Sequence, residues 1–466
     1  MRKALFFLIS MSLTQMLFAS PPQVTSVTPT QNALNVVTNT ALTVTFNGSI
    51  DPSTLTQSTI YINGSLSGLH TATYSYNSST QIVSITPSMS FKGGEVVTTT
   101  LTRGIKSTAG DSLASAYSWS FTIKSGGGSG KYVQSSTVNV GSEPCSVTAG
   151  DFNGDGYLDL AVTNGNSSAV SILLNNGNGT FTQSSIPSVG GIPISVIAGD
   201  FNGDGYIDLA VANAGSYTVS ILLNNGNGAF TQSSTPGVGN TPVSITAGDF
   251  NGDGFLDLAV TNAVSNTVSI LLNNGNGTFT QSSTPGVGSD PRSIITGDFN
   301  GDGYLDLAVT NWNSNNVSIL LNNGNGTFTQ SSTISVGSNP QSIIAGDFNG
   351  DGYIDLAVSN ESSGTVSILL NNGSGTFTQS SALGVGIGTF SVAAGDFNSD
   401  GNIDLAVSNE SSGTVSILLN NGSGIFVQSA TVSVGNTPVS IAVGDFNGDG
   451  SLDLALANET SNTVSI

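Results

Sequence analysis

From Ser146 onward the chain reads as short apolar stretches separated by clusters of Asn, Gly, Ser and Pro. In successive copies these stretches are SVTAGDF, DLAVTN, TVSILLNN and, after the turn NGNG, FTQSS. Each is rich in β-branched or aliphatic residues, and none has the length or the 3.6-residue apolar period of a helix. Four short strands joined by tight turns are therefore expected, and the set returns at a fixed interval. The first aspartate of each copy is Asp151, Asp200, Asp249, Asp298, Asp347, Asp396 or Asp445, always 49 residues apart. A repeat of this length built from four antiparallel strands is a propeller blade. The last unit stops at Ile466 inside its third strand, which suggests a piece of a longer protein. The segment YVQSSTVNVGSEP, ahead of the first unit, matches a fourth strand with its exit loop, and Tyr132 falls in the frame of Phe181. This segment is expected to complete the last blade and close a ring of seven, removing both exposed edges; an open solenoid is the competing arrangement.

A different alternation precedes the repeats. TALTVTFN places Leu42, Val44 and Phe46 on one face, and YSWSFTI does the same for Tyr117, Trp119, Phe121 and Ile123. With QIVSITPS and EVVTTTLT this predicts a β-sandwich over residues 22–124, with Trp119 in its core. His70, the only histidine, reads as a surface strand residue. A Gly/Ser tract at 125–130 is expected to join sandwich and propeller (131–466) flexibly. Residues 1–20 carry Arg2 and Lys3 before a short apolar run and end in small residues, the pattern of a cleaved signal peptide. The expected class is all-β throughout, exported, with no transmembrane segment in the mature chain. With Cys145 alone, no internal disulfide is possible, so stability must come from elsewhere.

The formal charge of −21 argues against a nucleic-acid partner. From Lys131 onward Lys131 and Arg292 face 26 acidic residues, and 21 of those are aspartates of the seven loops D-x-N-x-D-G-x-x-D. Three carboxylates within nine residues repel one another unless a cation sits among them. Side-chain oxygens at positions 1, 3 and 5, a backbone carbonyl at 7 and a carboxylate at 9 make a calcium site, with Gly at 6 permitting the sharp turn. The candidate ligands are Asp151, Asn153, Asp155, Tyr157 and Asp159; Asp200, Asn202, Asp204, Tyr206 and Asp208; and Asp249, Asn251, Asp253, Phe255 and Asp257. The later copies supply Asp298, Asn300, Asp302, Tyr304 and Asp306; Asp347, Asn349, Asp351, Tyr353 and Asp355; Asp396, Asn398, Asp400, Asn402 and Asp404; and Asp445, Asn447, Asp449, Ser451 and Asp453. An EF-hand would need Glu at position 12, where Val162 and its Val or Leu counterparts stand. About seven Ca2+ ions, carrying +14, would bring the propeller's −24 to about −10, ordinary for a soluble protein.

These repeats resemble the FG-GAP/VCBS repeats of integrin-α-like propellers. The resemblance covers residues from about 131 to 466 and implies calcium of mostly structural role. Loop six departs at Ser399 (position 4) and Asn402 (position 7), neither a required side-chain ligand. The phrases VTSVTPT, TVTFNGSIDPSTL and GIKSTAGDSLASAYSWSF resemble bacterial Ig-like domains, which implies a spacer or adhesive module on a secreted or cell-surface bacterial protein.

The loops barely vary among the copies, whereas the opposite face does. There the second-to-third turn begins Gly165, Ala214, Ala263, Trp312, Glu361, Glu410 and Glu459, and the inter-blade loops bring Asp290, Arg292 and Phe390. Divergence among copies on a uniform scaffold is expected at an interaction surface, so Trp312, Arg292, Asp290 and Phe390 are the candidate partner-binding residues; neutral drift would look the same. Histidine-based triads are excluded from the propeller, which has no histidine. The readings left open are a monomeric module binding an extracellular protein or glycan, a polysaccharide-degrading enzyme, and a passive spacer.

Overall fold

The computed structural model describes residues 21–466, so the expected signal peptide at 1–20 lies outside the described residues. The N-terminal unit is a sandwich of two sheets. One pairs Val24–Thr28, Leu42–Phe46, Ile82–Pro87 and Ala72–Asn77; the other pairs Ala33–Val36, Tyr117–Ile123, Val96–Leu101, Ile60–Gly64 and Gly68–Leu69. The alternating residues meet between them, with Leu42, Val44, Ile85 and Trp119 all essentially solvent-free.

His70 departs from expectation: it is buried at 1% exposure. The hairpin at Gly64–Leu69 folds the ring beneath Phe91, centroids 4.6 Å apart, and Nε2 meets the Ser67 hydroxyl at 2.7 Å. Burial lowers the pKa of the imidazole. The buried Glu95 carboxylate gathers the same hairpin, accepting the amides of Leu66 and Ser67 and the Ser67 hydroxyl. Sequence alternation could not place His70, because what buries it is a contact made by a two-residue strand that no pattern announces.

Seven four-stranded sheets follow, blades I to VII. Blade I contains Pro144–Gly150, Asp159–Asn164, Ala169–Asn175 and Phe181–Ser185, and the others repeat it. The first strand of each blade lines a central channel, and the second and third are buried on both faces. Closure occurs as the frame predicted: Thr137–Asn139 pairs antiparallel with Thr463–Ser465 to complete blade VII. Residues of blades I and VII then share one core cluster, which includes Val147, Leu160, Phe446 and Ala455.

Blade boundaries are stitched by aromatic edges. The Phe that opens each fourth strand packs on the position-2 Phe of the preceding blade's loop, as in Phe230 on Phe152 at 5.6 Å and Phe181 on Phe446 at 5.9 Å. Tyr132 does the same to Phe397 at 5.9 Å, which places it in the ring where its register indicated.

The linker is not a free tether here, contrary to the composition argument. Gly126 N donates to Gly450 O, Gly130 N to Phe397 O, and Gly128 N to Ser399 Oγ. Composition reports only the freedom of an isolated Gly/Ser chain; it cannot register a groove that supplies hydrogen-bond partners to every second amide.

Candidate metal centres and the opposite face

Each loop between the first and second strands wraps around its own aspartates. In blade I, Asp151 Oδ1 accepts the amides of Gly154 (2.9 Å) and Asp155 (3.1 Å), and Oδ2 accepts that of Gly156 (2.9 Å). Asn153 accepts the Asp155 amide and donates through Nδ2 to Asp155 Oδ2, while Asp155 Oδ1 takes the Tyr157 amide. Position 6 must be glycine, because Gly156 and its six counterparts hold φ between 85° and 96°.

Position 9 is the structural hinge of the loop. Asp159 is fully buried, accepting the Phe152 amide at 2.9 Å and the Asn175 amide at 2.8 Å. It thereby ties the loop to the end of the third strand. Burial, reinforced by the neighbouring Asp155 and Asp151, pushes its carboxyl up to about 7. The same causes raise Asp257 and Asp306 to about 8, Asp208, Asp355 and Asp404 to about 7, and Asp453 to about 6. At position 1, burial raises Asp249 to about 7 and Asp298 to about 6.

Burial and the neighbouring aspartates thus disfavour the charged form of these carboxyls, a cost that a bound cation would offset. The donors at positions 1, 3, 5, 7 and 9 are all hard oxygens, the set that suits calcium. Among the described residues, no three acidic, histidine or cysteine side chains stand in metal-holding geometry. The carboxylates are turned onto amides instead, and the Asn153–Asp155 contact would open to admit an ion. The donor chemistry fits; the rotamers are those of loops satisfied by their own backbone.

One residue that sequence reasoning missed closes the loop in blades I to VI. Asn175, last in its strand, donates Nδ2 to Leu158 O (2.9 Å) and, across the blade boundary, to Phe446 O (2.8 Å). Asn224, Asn273, Asn322, Asn371 and Asn420 repeat this bridge to the preceding blade. The signal was the unvarying LLNN of six copies, which reads as turn chemistry. Replacing Asn273 by Leu is expected to destabilise the ring by about 1–3 kcal/mol, by orphaning the Leu256 carbonyl and removing one of the two bonds to the Phe201 carbonyl, which keeps the Gly277 amide; a lower denaturant midpoint measures it.

Loops VI and VII are where the repeat departs, and both departures face the linker. Ser399 replaces the usual Gly at position 4 and adopts φ 59°. Its Oγ accepts the Gly128 amide and donates to Gly126 O. Ser451 takes the place of the usual aromatic at position 7 and donates to Gly127 O at 2.8 Å. In loops I to V that aromatic covers the first glycine of the turn between the third and fourth strands, as Tyr157 does over Gly177, and in loop VI Asn402 does so over Gly422.

On the opposite face, three of the four candidate partner residues come together. Arg292 lies over the Trp312 ring at 5.4 Å and pairs with Asp290 at 3.0 Å. Trp312 Nε1 donates to Glu361 Oε2 of the next blade at 3.0 Å. Phe390 stands apart, half-buried against the core shared by blades I and VII. Burial, then the neighbouring Glu361 and Glu459, raises the Glu410 pKa; burial, then Glu143, raises that of Glu459. The face therefore carries an arc of carboxylates ending at a stacked Trp–Arg pair.

Comparison with known proteins agrees with this architecture. A model described as FG-GAP-like repeat matches six times, from 151–211 through 396–456, and one described as bacterial Ig-like domain matches residues 19–123. The repeat matches span residues 151–456, and the chain belongs to the FG-GAP-like repeat family. No curated protein matches the sequence. Among solved structures, a putative 6-phosphogluconolactonase from Bacteroides uniformis is similar at 16% identity and TM-score 0.52, covering 73% of this chain and 94% of its own. A protein from Lactobacillus plantarum is similar at 14% identity and TM-score 0.51, covering 82% and 98%. BBS1N in complex with ARL6DN is similar at 14% identity and TM-score 0.51, covering 72% and 95%. At these identities the likeness is one of fold alone. No helix among the described residues is long and apolar enough to cross a membrane.

Proposed function

We propose that this protein is an exported, calcium-stabilised binding or adhesion module. It recognises an extracellular protein or glycan through the propeller face opposite the aspartate loops. One observation carries the choice of face: the N-terminal domain covers the loop side. Lys92 Nζ donates to Gly156 O, Asn32 to Gly352 O and Asn35 to Gly401 O, and Tyr61 packs on Phe255 at 6.0 Å. Among the described residues, the hydrogen bonds and aromatic contacts of the N-terminal domain with the propeller fall on the loop side, and the opposite face is where the copies differ. A Trp–Arg pair flanked by carboxylates offers a flat stacking surface with fixed polar groups, the mixture that hot spots use.

Calcium in each loop would be held by the side chains at positions 1, 3, 5 and 9 and the carbonyl at 7. Its chemistry there is charge neutralisation of the aspartates. FG-GAP-like and bacterial Ig-like modules together favour a place outside the cell, which the basic and apolar residues at the N-terminus also support.

A glycan array, run beside a reducing-sugar assay on common polysaccharides, tests the reading. Binding without turnover is expected. The Trp312→Ala, Arg292→Ala double variant should weaken that binding at least tenfold, on the order of the ~2 kcal/mol that truncating a stacked hot spot costs. Turnover would instead favour a carbohydrate-active enzyme, and unchanged binding by the double variant would remove this face from consideration.

A further inference from the structure

The position-6 carbonyls of the aspartate loops form a ring of acceptors, and the N-terminal region uses five of the seven. Lys92 takes loop I at 2.6 Å, Ser118 N takes loop IV at 3.3 Å, and Asn32 and Asn35 take loops V and VI at 2.9 Å each. The linker amide of Gly126 takes loop VII. Every position-6 glycine holds φ in one narrow range, 85° to 96°, so the loops share their turn at this residue.

Two features mark the contact as built. Asn32 and Asn35 both sit in the left-handed region, at φ 59° and 57°, and reach adjacent loops. On the propeller side, loops VI and VII exchange their usual residues for Ser399 and Ser451, whose hydroxyls hold the linker. Ser399 does so in a left-handed conformation that its glycine counterparts adopt without strain. Beneath the docked domain lies a cavity of about 490 Å³ at the channel mouth, lined by Leu256, Leu305, Ile354 and Ile403 from four loops and by Tyr61 and Leu69 from the domain.

We propose that the loop ring is a docking seat that locks the N-terminal domain over the channel mouth, and that divalent cations in the loops keep the seat in shape. The cation dependence rests on the calcium reading above; the seat itself rests on the hydrogen bonds just described. A cation drawn in by the carboxylates at positions 1, 5 and 9 holds the loop more firmly than its own backbone hydrogen bonds do; without one the position-6 carbonyl is kept in place by those bonds alone, and the domain lifts from the seat more often.

The experiment uses the full chain. Lys124 and Lys131 flank the linker, so trypsin reports directly on its docking, and small-angle scattering reports the domain separation. Chelation is expected to speed cleavage at these two lysines about tenfold or more and to raise the radius of gyration. The Ser399→Gly, Ser451→Gly variant should do the same in saturating calcium; returning loop VI to its siblings' glycine puts folding at little risk, and calorimetric melting checks it. Cleavage and radius unchanged in both conditions, with calcium binding demonstrated by titration calorimetry, would overturn the seat and leave the calcium reading standing. Absence of calcium binding would overturn the cation dependence, and the serine variant would then judge the seat alone.

Discussion

Removing divalent cations from the full chain is expected to lower its melting temperature by about 20–30 °C. A ligand present at a hundred times its dissociation constant stabilises the folded state by about 2.7 kcal/mol per site. Seven such sites would act on one ring whose unfolding entropy, at average values per residue, is about 0.7 kcal/mol/K. The candidate sites sit where stability is decided: in blades I to VI the loop is fastened by a buried aspartate to the third strand of its own blade, and by the Asn175-type bridge to the blade before. Differential scanning calorimetry in calcium and in excess chelator measures the shift. A melting temperature that stays within a few degrees would end the proposal that the loops are metal sites.

The second large effect is an inversion of pH dependence. In the metal-free protein the position-9 carboxyls have folded pKa values of about 6 to 8, set first by burial, as at Asp257, Asp306 and Asp453. Their unfolded value is about 3.9. Between those limits the folded state binds more protons than the unfolded one, so this contribution is complete below about pH 4 and is lost as pH rises through the folded pKa. The chelated protein is therefore expected to melt about 10 °C or more higher at pH 5 than at pH 9. In excess calcium the sign reverses, because the ion requires ionised carboxylates, and stability should rise from pH 5 to pH 7. Scanning fluorimetry across pH 5–9 with and without chelator reads both slopes. A flat or rising profile in chelator would show that burial does not hold these groups protonated.

The repeat was fully legible because its information is local. A 49-residue period, β-branched runs and turn residues each act within a few positions, and even closure could be read from Tyr132 standing in the frame of Phe181. The aspartate loops were legible for the same reason, since positions 1, 3 and 5 lie on one turn. Their hydrogen-bonded state was not: that Asp159 spends both oxygens on amides depends on Asn175, sixteen residues away on another strand. The Asn bridges were hidden in plain repetition, because their acceptor lies in the preceding blade and leaves no trace in the blade's own sequence.

Sequence alone determined the class of fold, the number of repeats, the closing strand and the placement of seven clusters of hard oxygen donors. All of these follow from short-range patterns of apolar residues, turns and charge. Only the tertiary structure decided that His70 is buried, that the Gly/Ser linker lies hydrogen-bonded along loops VI and VII, and that the N-terminal domain occupies the loop face. His70 is buried by a short hairpin closing under Phe91, a contact no alternation encodes; the other two outcomes bring together groups as far as 366 residues apart, at distances set by the summed geometry of a closed ring where no local pattern can act.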